Sequence, residues 1–253
     1  MKRFFTLLLL AIFVTGIQAQ QKVTLRDIAQ GTYRAQGISG LKPMLDGEHY
    51  TQISSDHKRI VKYSFKTGEE VGTLFDVTTA RDCDLKSFDD YILSPDEKLI
   101  LIQTETKPIY RHSFTAVYYI YNVKNNKMEP LSNNGPQQVP LFSPDGNQIA
   151  FVRNNNIYLV KLLFGNSESQ VTKEYNHVLN GIPDWVYEEE FSFNRAFDFS
   201  ADSKMIAYVR FDESAVPMFS FPWYKGLAPE KTSYATYPGA YEYKYPKAGE
   251  VNS

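Results

Sequence analysis

The sequence predicts an all-β chain, and three observations carry that reading. A turn motif recurs as Ser94-Pro95-Asp96-Glu97-Lys98, Ser143-Pro144-Asp145-Gly146-Asn147 and Ser200-Ala201-Asp202-Ser203-Lys204, with a fainter copy at Leu45-Asp46-Gly47-Glu48. Asp46, Asp96, Asp145 and Asp202 fall 50, 49 and 57 residues apart, the spacing of propeller blades rather than of helical repeats. β-Branched and aromatic residues recur every few positions, while no window of eleven or more residues holds a convincing 3.6-residue apolar period.

Each repeat supplies the chemistry of a tight reversal. Proline presets φ, aspartate caps its own turn, and glycine tolerates a positive φ. After the Ser143 turn, residues 149–153 lead through Asn154-Asn155-Asn156 into 157–160, which reads as two strands joined by a polar hairpin. Tyr118-Tyr119-Ile120-Tyr121, followed by Asn125-Asn126, has the same role in the preceding unit. At about 50 residues per unit the chain holds four to five blades, at the lower bound for a closed propeller. The final stretch, 239–253, is rich in Tyr, Pro, Lys and Gly and shows no evident closing strand, so a partial propeller is expected.

Composition narrows the function classes. With 253 residues, 43% hydrophobic, 15% aromatic and a net charge of −2, the chain is globular, and it lacks the basic excess that would make nucleic acid a partner. Lys2 and Arg3, the apolar run 4–16 and the small Ala19 form the three regions of a secretory signal over 1–19. The apolar run is about 13 residues, short of the roughly 20 a spanning helix needs, so cleavage after Ala19 is expected over retention as an anchor. Bacterial export to the periplasm or medium follows. Cys83 is alone and reads as a small packed residue.

No nucleophile is visible. Gly37-Ile38-Ser39-Gly40-Leu41 and Gly165-Asn166-Ser167-Glu168-Ser169 both fail the Gly-x-Ser-x-Gly elbow at its fifth position. No phosphate-cradling loop or zinc motif occurs, and no metal, cofactor or catalytic residue is assigned.

Two segments depart from the repeat. Gly181-Ile182-Pro183-Asp184-Trp185-Val186-Tyr187-Glu188-Glu189-Glu190-Phe191 coincides with the longest spacing and looks like an insertion. Asp184 can cap a short helix whose early acids suit the helix dipole, giving a solvated turn; alternatively, the flanking aromatics hold the acids in a partly desolvated pocket that attracts a cation. The second segment is Tyr110-Arg111-His112-Ser113-Phe114, where Arg111 presents a fork of donors to a carbonyl or carboxylate, or simply pairs with a neighbouring acid. His112, flanked by aromatics, reads as packed.

These segments, together with Tyr245-Pro246-Lys247-Ala248-Gly249 before Val251-Asn252 and with Thr24-Leu25-Arg26-Asp27, resemble in order the dipeptidyl peptidase IV family of the prolyl oligopeptidase clan. The resemblance implies an eight-bladed β-propeller of which this chain carries the N-terminal portion, about four blades, at 41–253, after a preceding segment at 20–40. The α/β-hydrolase domain with its Ser-Asp-His triad would lie outside the chain, so no catalysis by these 253 residues alone is expected. Ser253 stands where the family's motif usually continues with proline. By the same resemblance Glu189 and Glu190 bind a substrate's free α-ammonium, Arg111 contacts the penultimate carbonyl, and Glu188 has no assigned role. Implied partners are peptides with a free N-terminus and Pro or Ala second, and the hydrolase domain; a homodimer stays open. Adjacent glutamates converge only on a short or distorted turn. The alternative is a free-standing periplasmic propeller that binds peptides or a protein without hydrolysis.

Overall fold

In the computed structural model the described residues are 22–35, 37, 39–224 and 238–253; the expected signal peptide at 1–19 lies outside them. The chain divides into two units, one up to Ser39 and one from Gly40 to Ser253. The first contains α1 (Leu25–Gln30), started by a reciprocal cap in which Thr24 Oγ1 accepts from Asp27 N and the Asp27 carboxylate accepts from Thr24 N.

The second unit is built mostly of strands. Three successive four-stranded antiparallel meanders comprise β1 (Lys42–Pro43), β2 (His49–Ile53), β3 (Arg59–Ser64) and β4 (Glu70–Asp76); β5 (Asp90–Leu93), β6 (Leu99–Pro108), β7 (Phe114–Asn122) and β8 (Lys127–Pro130); and β9 (Gln138–Phe142), β10 (Gln148–Arg153), β11 (Asn156–Lys161) and β12 (Ser167–Gln170). The next unit is irregular: β13 (Val178–Asn180) pairs with β16 (Arg210–Asp212), and β14 (Phe197–Phe199) pairs with β15 (Ile206–Tyr208). Between β13 and β14 stands α2 (Trp185–Phe191), so the insertion read from the sequence is a helix. Finally β17 (Met218–Trp223) pairs with β18 (Gly239–Lys244).

Strand β18 corrects the expectation that 239–253 lacks a strand. Its aromatic residues alternate, and they meet alternating aromatics across the ladder, Phe219 opposite Tyr243 and Phe221 opposite Tyr241, with ring centroids 6.1 and 5.4 Å apart. A Tyr/Pro/Gly-rich composition concealed a period of two.

Both faces of the central strands are buried. Ile100 and Ile102 pack with Ile60, Phe75 and Tyr91 of the first two sheets, whereas Leu101 between them joins Phe142, Ile149 and Phe151 of the third. On β10, Ile149 and Phe151 serve that interface, while Ala150 and Val152 turn to Leu179, Phe197 and Phe211. Each such aliphatic side chain contributes about 2 kcal/mol through removal from water. Cys83 packs at the edge of the first core, and burial pushes its thiol pKa up.

Asp46, Asp96 and Asp145 occupy the first-to-second strand turns of the three four-stranded sheets, and Asp202 occupies the turn between the paired strands β14 and β15. In three of them a serine hydroxyl (Ser94, Ser143, Ser200) donates to the Asp two residues on and accepts from the N–H five residues on. Successive turns also touch: Leu45 N donates to Glu97 Oε1 at 2.6 Å, and Asp145 N to Ser203 Oγ at 3.0 Å. The units are therefore laid side by side with the same end aligned.

Gly181 decides how the chain leaves β13 for α2. Its φ is +77°, its N–H donates to Val209 O, and its carbonyl accepts from Ala196 N. A methyl group there would lie 3.0 Å from both Ile157 Cγ1 and Phe197 Cδ1. Gly181→Ala combines backbone strain with overpacking and is expected to destabilise the protein by about 2–4 kcal/mol, read as a lower midpoint in urea unfolding. An unchanged midpoint contradicts this account.

Candidate substrate-binding site

The β6–β7 hairpin is the longest in the molecule's regular sheets, ten and nine residues against six each for β10 and β11. A register shift between Thr104 and Lys107, with Glu105 at φ +53°, bends it. Asp89 fastens the bend by accepting from Thr106 N at 3.0 Å and Thr106 Oγ1 at 2.7 Å. The hairpin tip, 109–113, carries Arg111 to α2.

Helix α2 begins at Asp184, 3% exposed, whose Oδ1 accepts from Tyr187 N at 2.8 Å, and it ends at Ser192, where φ is +56°. Successive helical residues turn by about 100°. The three glutamates consequently take three environments. Glu188 is buried, 1% exposed, and its Oε1 accepts from both His112 N and Ser113 N at 2.8 Å. Glu189 accepts from Arg111 Nε at 2.9 Å and 3.2 Å through its two oxygens. Glu190 is exposed, and its carboxylate makes no hydrogen bond or ion pair among the described residues. The structure thus brings Arg111 and Glu189 together and leaves Glu190 in solvent one residue on.

The Arg111–Glu189 pair is asymmetric, with side chains 72% and 17% exposed. Such a pair contributes about 0.5–1 kcal/mol and is a weak restraint on an exposed guanidinium. Only Nε is engaged; the two terminal guanidinium nitrogens have no protein partner among the described residues and stay available as donors.

The C-terminal motif returns to the same place. Trp185 packs edge-on against Tyr245 at 4.8 Å and lies 5.8 Å from Tyr243, and Ser253 Oγ donates to Asp184 Oδ2. Beside the helix is a cavity of about 210 Å³ bordered by Tyr110, Ser113, Asp184, Trp185, Glu188 and Glu213. Burial raises the Tyr110 hydroxyl well above its ordinary pKa.

Sequence reasoning left Glu188 without a role and did not single out Asn194 or Glu213. Asn194 Nδ2 donates to His112 O at 2.8 Å. No local pattern marks the contacts of Glu188 and Asn194, because their partners are backbone groups more than seventy residues away. His112, in the hairpin tip, is half-buried.

Glu213 is pushed up to about 7, first by burial and then by the charge of Asp184, with Lys244 partly opposing. Since its folded pKa exceeds the unfolded value, the folded state holds the extra proton between about 4.5 and 7, and stability falls as pH rises through that window. Glu213→Gln is expected to flatten that fall and to be more stable than the parent at pH 8, by about 1 kcal/mol after allowance for screening of a partly exposed group. Parallel stability curves for the two proteins between pH 4.5 and 8 would refute it.

Residues 94–253 match the family described as the dipeptidyl peptidase IV (DPP IV) N-terminal region. Among relatives, the chain is 34% identical over 239 residues to the mouse prolyl endopeptidase FAP, a match covering 92% of this chain and 29% of that protein. It is 45% identical over 170 residues to a probable dipeptidyl-aminopeptidase B of Emericella nidulans, covering 63% of this chain and 18% of the fungal protein. Among solved structures it is similar to Porphyromonas gingivalis dipeptidyl peptidase 4, with a TM-score of 0.81, 43% identity and coverage of 92% of this chain and 32% of that one. The chain thus spans no more than about a third of the length of these proteins. With its four-stranded antiparallel sheets, its acidic helix and the arginine hairpin that meets it, the chain belongs to the dipeptidyl peptidase IV family, of which it carries the N-terminal region.

Proposed function

We propose that this chain is the substrate-anchoring portion of an exported dipeptidyl peptidase IV-like serine exopeptidase that releases Xaa-Pro or Xaa-Ala dipeptides from peptide N-termini. The observation that carries the reading is Arg111 held through Nε by Glu189, its outer donors open, with the unpaired carboxylate of Glu190 one residue along the same short helix. A substrate's α-ammonium entering between Glu189 and Glu190 supplies the positive charge that Glu190 lacks and shares Glu189 with Arg111, and the outer nitrogens of Arg111 donate to the carbonyl one residue further on. A blocked or internal amide brings no charge and forfeits that compensation, so cleavage is measured from a free amine. In this reading the four-stranded sheets are blades of an eight-bladed propeller, and a hydrolase domain encoded downstream supplies nucleophile, base and oxyanion hole. Export follows from the signal at 1–19, and the mature protein recovered from the periplasm or medium should have an intact mass beginning at Gln20.

The test is hydrolysis of a Gly-Pro chromogenic amide by the protein extended through the downstream reading frame. Glu189→Ala and Glu190→Ala should each lower kcat/KM about a hundredfold or more, and an N-acetylated substrate should be refused. A well-folded extended protein that leaves the free-amine substrate intact overturns the peptidase reading and favours a propeller that binds without hydrolysis.

A further inference from the structure

Glu188 touches no substrate group in the reading above, yet it is the most buried of the three helix carboxylates and has no ion-pair partner among the described residues. A charge so placed needs donors, and it has two: the N–H groups of His112 and Ser113, both 2.8 Å from one oxygen. These are the peptide groups that immediately follow Arg111. The rest of the hairpin tip is tied as well. Asn194 Nδ2 donates to His112 O at 2.8 Å, Ile109 N donates to Ser113 O at 2.9 Å, and Tyr110 N donates to Ser113 Oγ at 3.2 Å. Arg111 is therefore held at both ends by one helix, its backbone through Glu188 and its guanidinium through Glu189.

We infer that Glu188 is a positioning residue: by clamping the N–H groups of His112 and Ser113 it fixes where the Arg111 fork stands relative to Glu189. The inference rests on the peptide-anchoring role of Arg111 proposed above. A guanidinium on a hairpin tip with a 72% exposed side chain has many rotamers, and one surface-type ion pair does not select among them. With the backbone of the tip pinned, the side chain starts from a fixed point and direction, and the donors are in place before substrate arrives.

A double-mutant cycle in the extended protein separates positioning from general support of the fold. Glu188→Gln keeps the shape and one acceptor oxygen but removes the charge. It is expected to lower kcat/KM for the Gly-Pro amide about tenfold, and less than about twofold when Arg111 is already alanine. The affinity for the product dipeptide Gly-Pro, measured by calorimetry, should show the same non-additivity, so that variants too slow to assay still yield a number. Should Glu188→Gln not fold, Glu188→Asp enters the cycle in its place. Equal losses in both backgrounds, accompanied by a parallel fall in Tm, overturn the inference and leave Glu188 a structural residue. A parent protein that neither cleaves the Gly-Pro amide nor binds Gly-Pro removes the peptidase reading itself, whereas an active parent with an additive cycle removes only the role of Glu188.

Discussion

Burial of both faces of β6 and β10 is the constraint from which the rest of the structure follows. Because Leu101 packs toward one neighbouring sheet while Ile100 and Ile102 pack toward the other, a slip of one residue would exchange two cores at once. Register in the second sheet is thereby fixed over the inner half of the β6–β7 hairpin. Beyond the bend at Glu105, the hairpin continues past the sheet and ends at Arg111. The position of an exposed arginine is set by apolar packing at the far end of its own hairpin.

At the other side of the site, the helix depends on a departure from regularity. The unit after the third sheet does not form a simple meander; β13 pairs with β16, and the chain between β13 and β14 is free to turn through Gly181 into α2. Three segments then meet on seven residues of helix and their N-cap: the hairpin tip through Glu188 and Glu189, the aromatic C-terminal segment through Trp185, and Ser253 through the capping Asp184. None of the individual polar contacts is strong by itself. Their joint effect is to reduce the freedom of groups that must act together, which lowers the cost of ordering them around a ligand.

The site also shows how one protein accommodates several carboxylates in a small volume. Asp184 is satisfied by the first turn of its own helix and a serine hydroxyl, Glu188 by two backbone N–H groups, and Glu189 by a guanidinium. Glu190 remains hydrated. Glu213, half-buried near Asp184 and without an equivalent donor set, responds instead by holding its proton to a higher pH.

Sequence by itself determined the repeat unit, its turns and a polar hairpin at Asn154-Asn155-Asn156, whose last residue the structure places in the strand, and it offered Asp184 as the cap of a short helix, because each is written in local spacing: aspartates about 50 residues apart, alternating apolar residues, an N-cap before a short acidic run. It also pointed to Glu189, Glu190 and Arg111, through motifs rather than through any contact visible along the chain. Only the tertiary structure decided that Arg111 is engaged through Nε with its outer donors left open, that Glu190 stands apart, and that Glu188 grips the backbone beside Arg111. The physical reason is that a backbone N–H is common to every residue but proline and leaves no signature in composition. A carboxylate that binds one is recognisable only when the fold has brought it there.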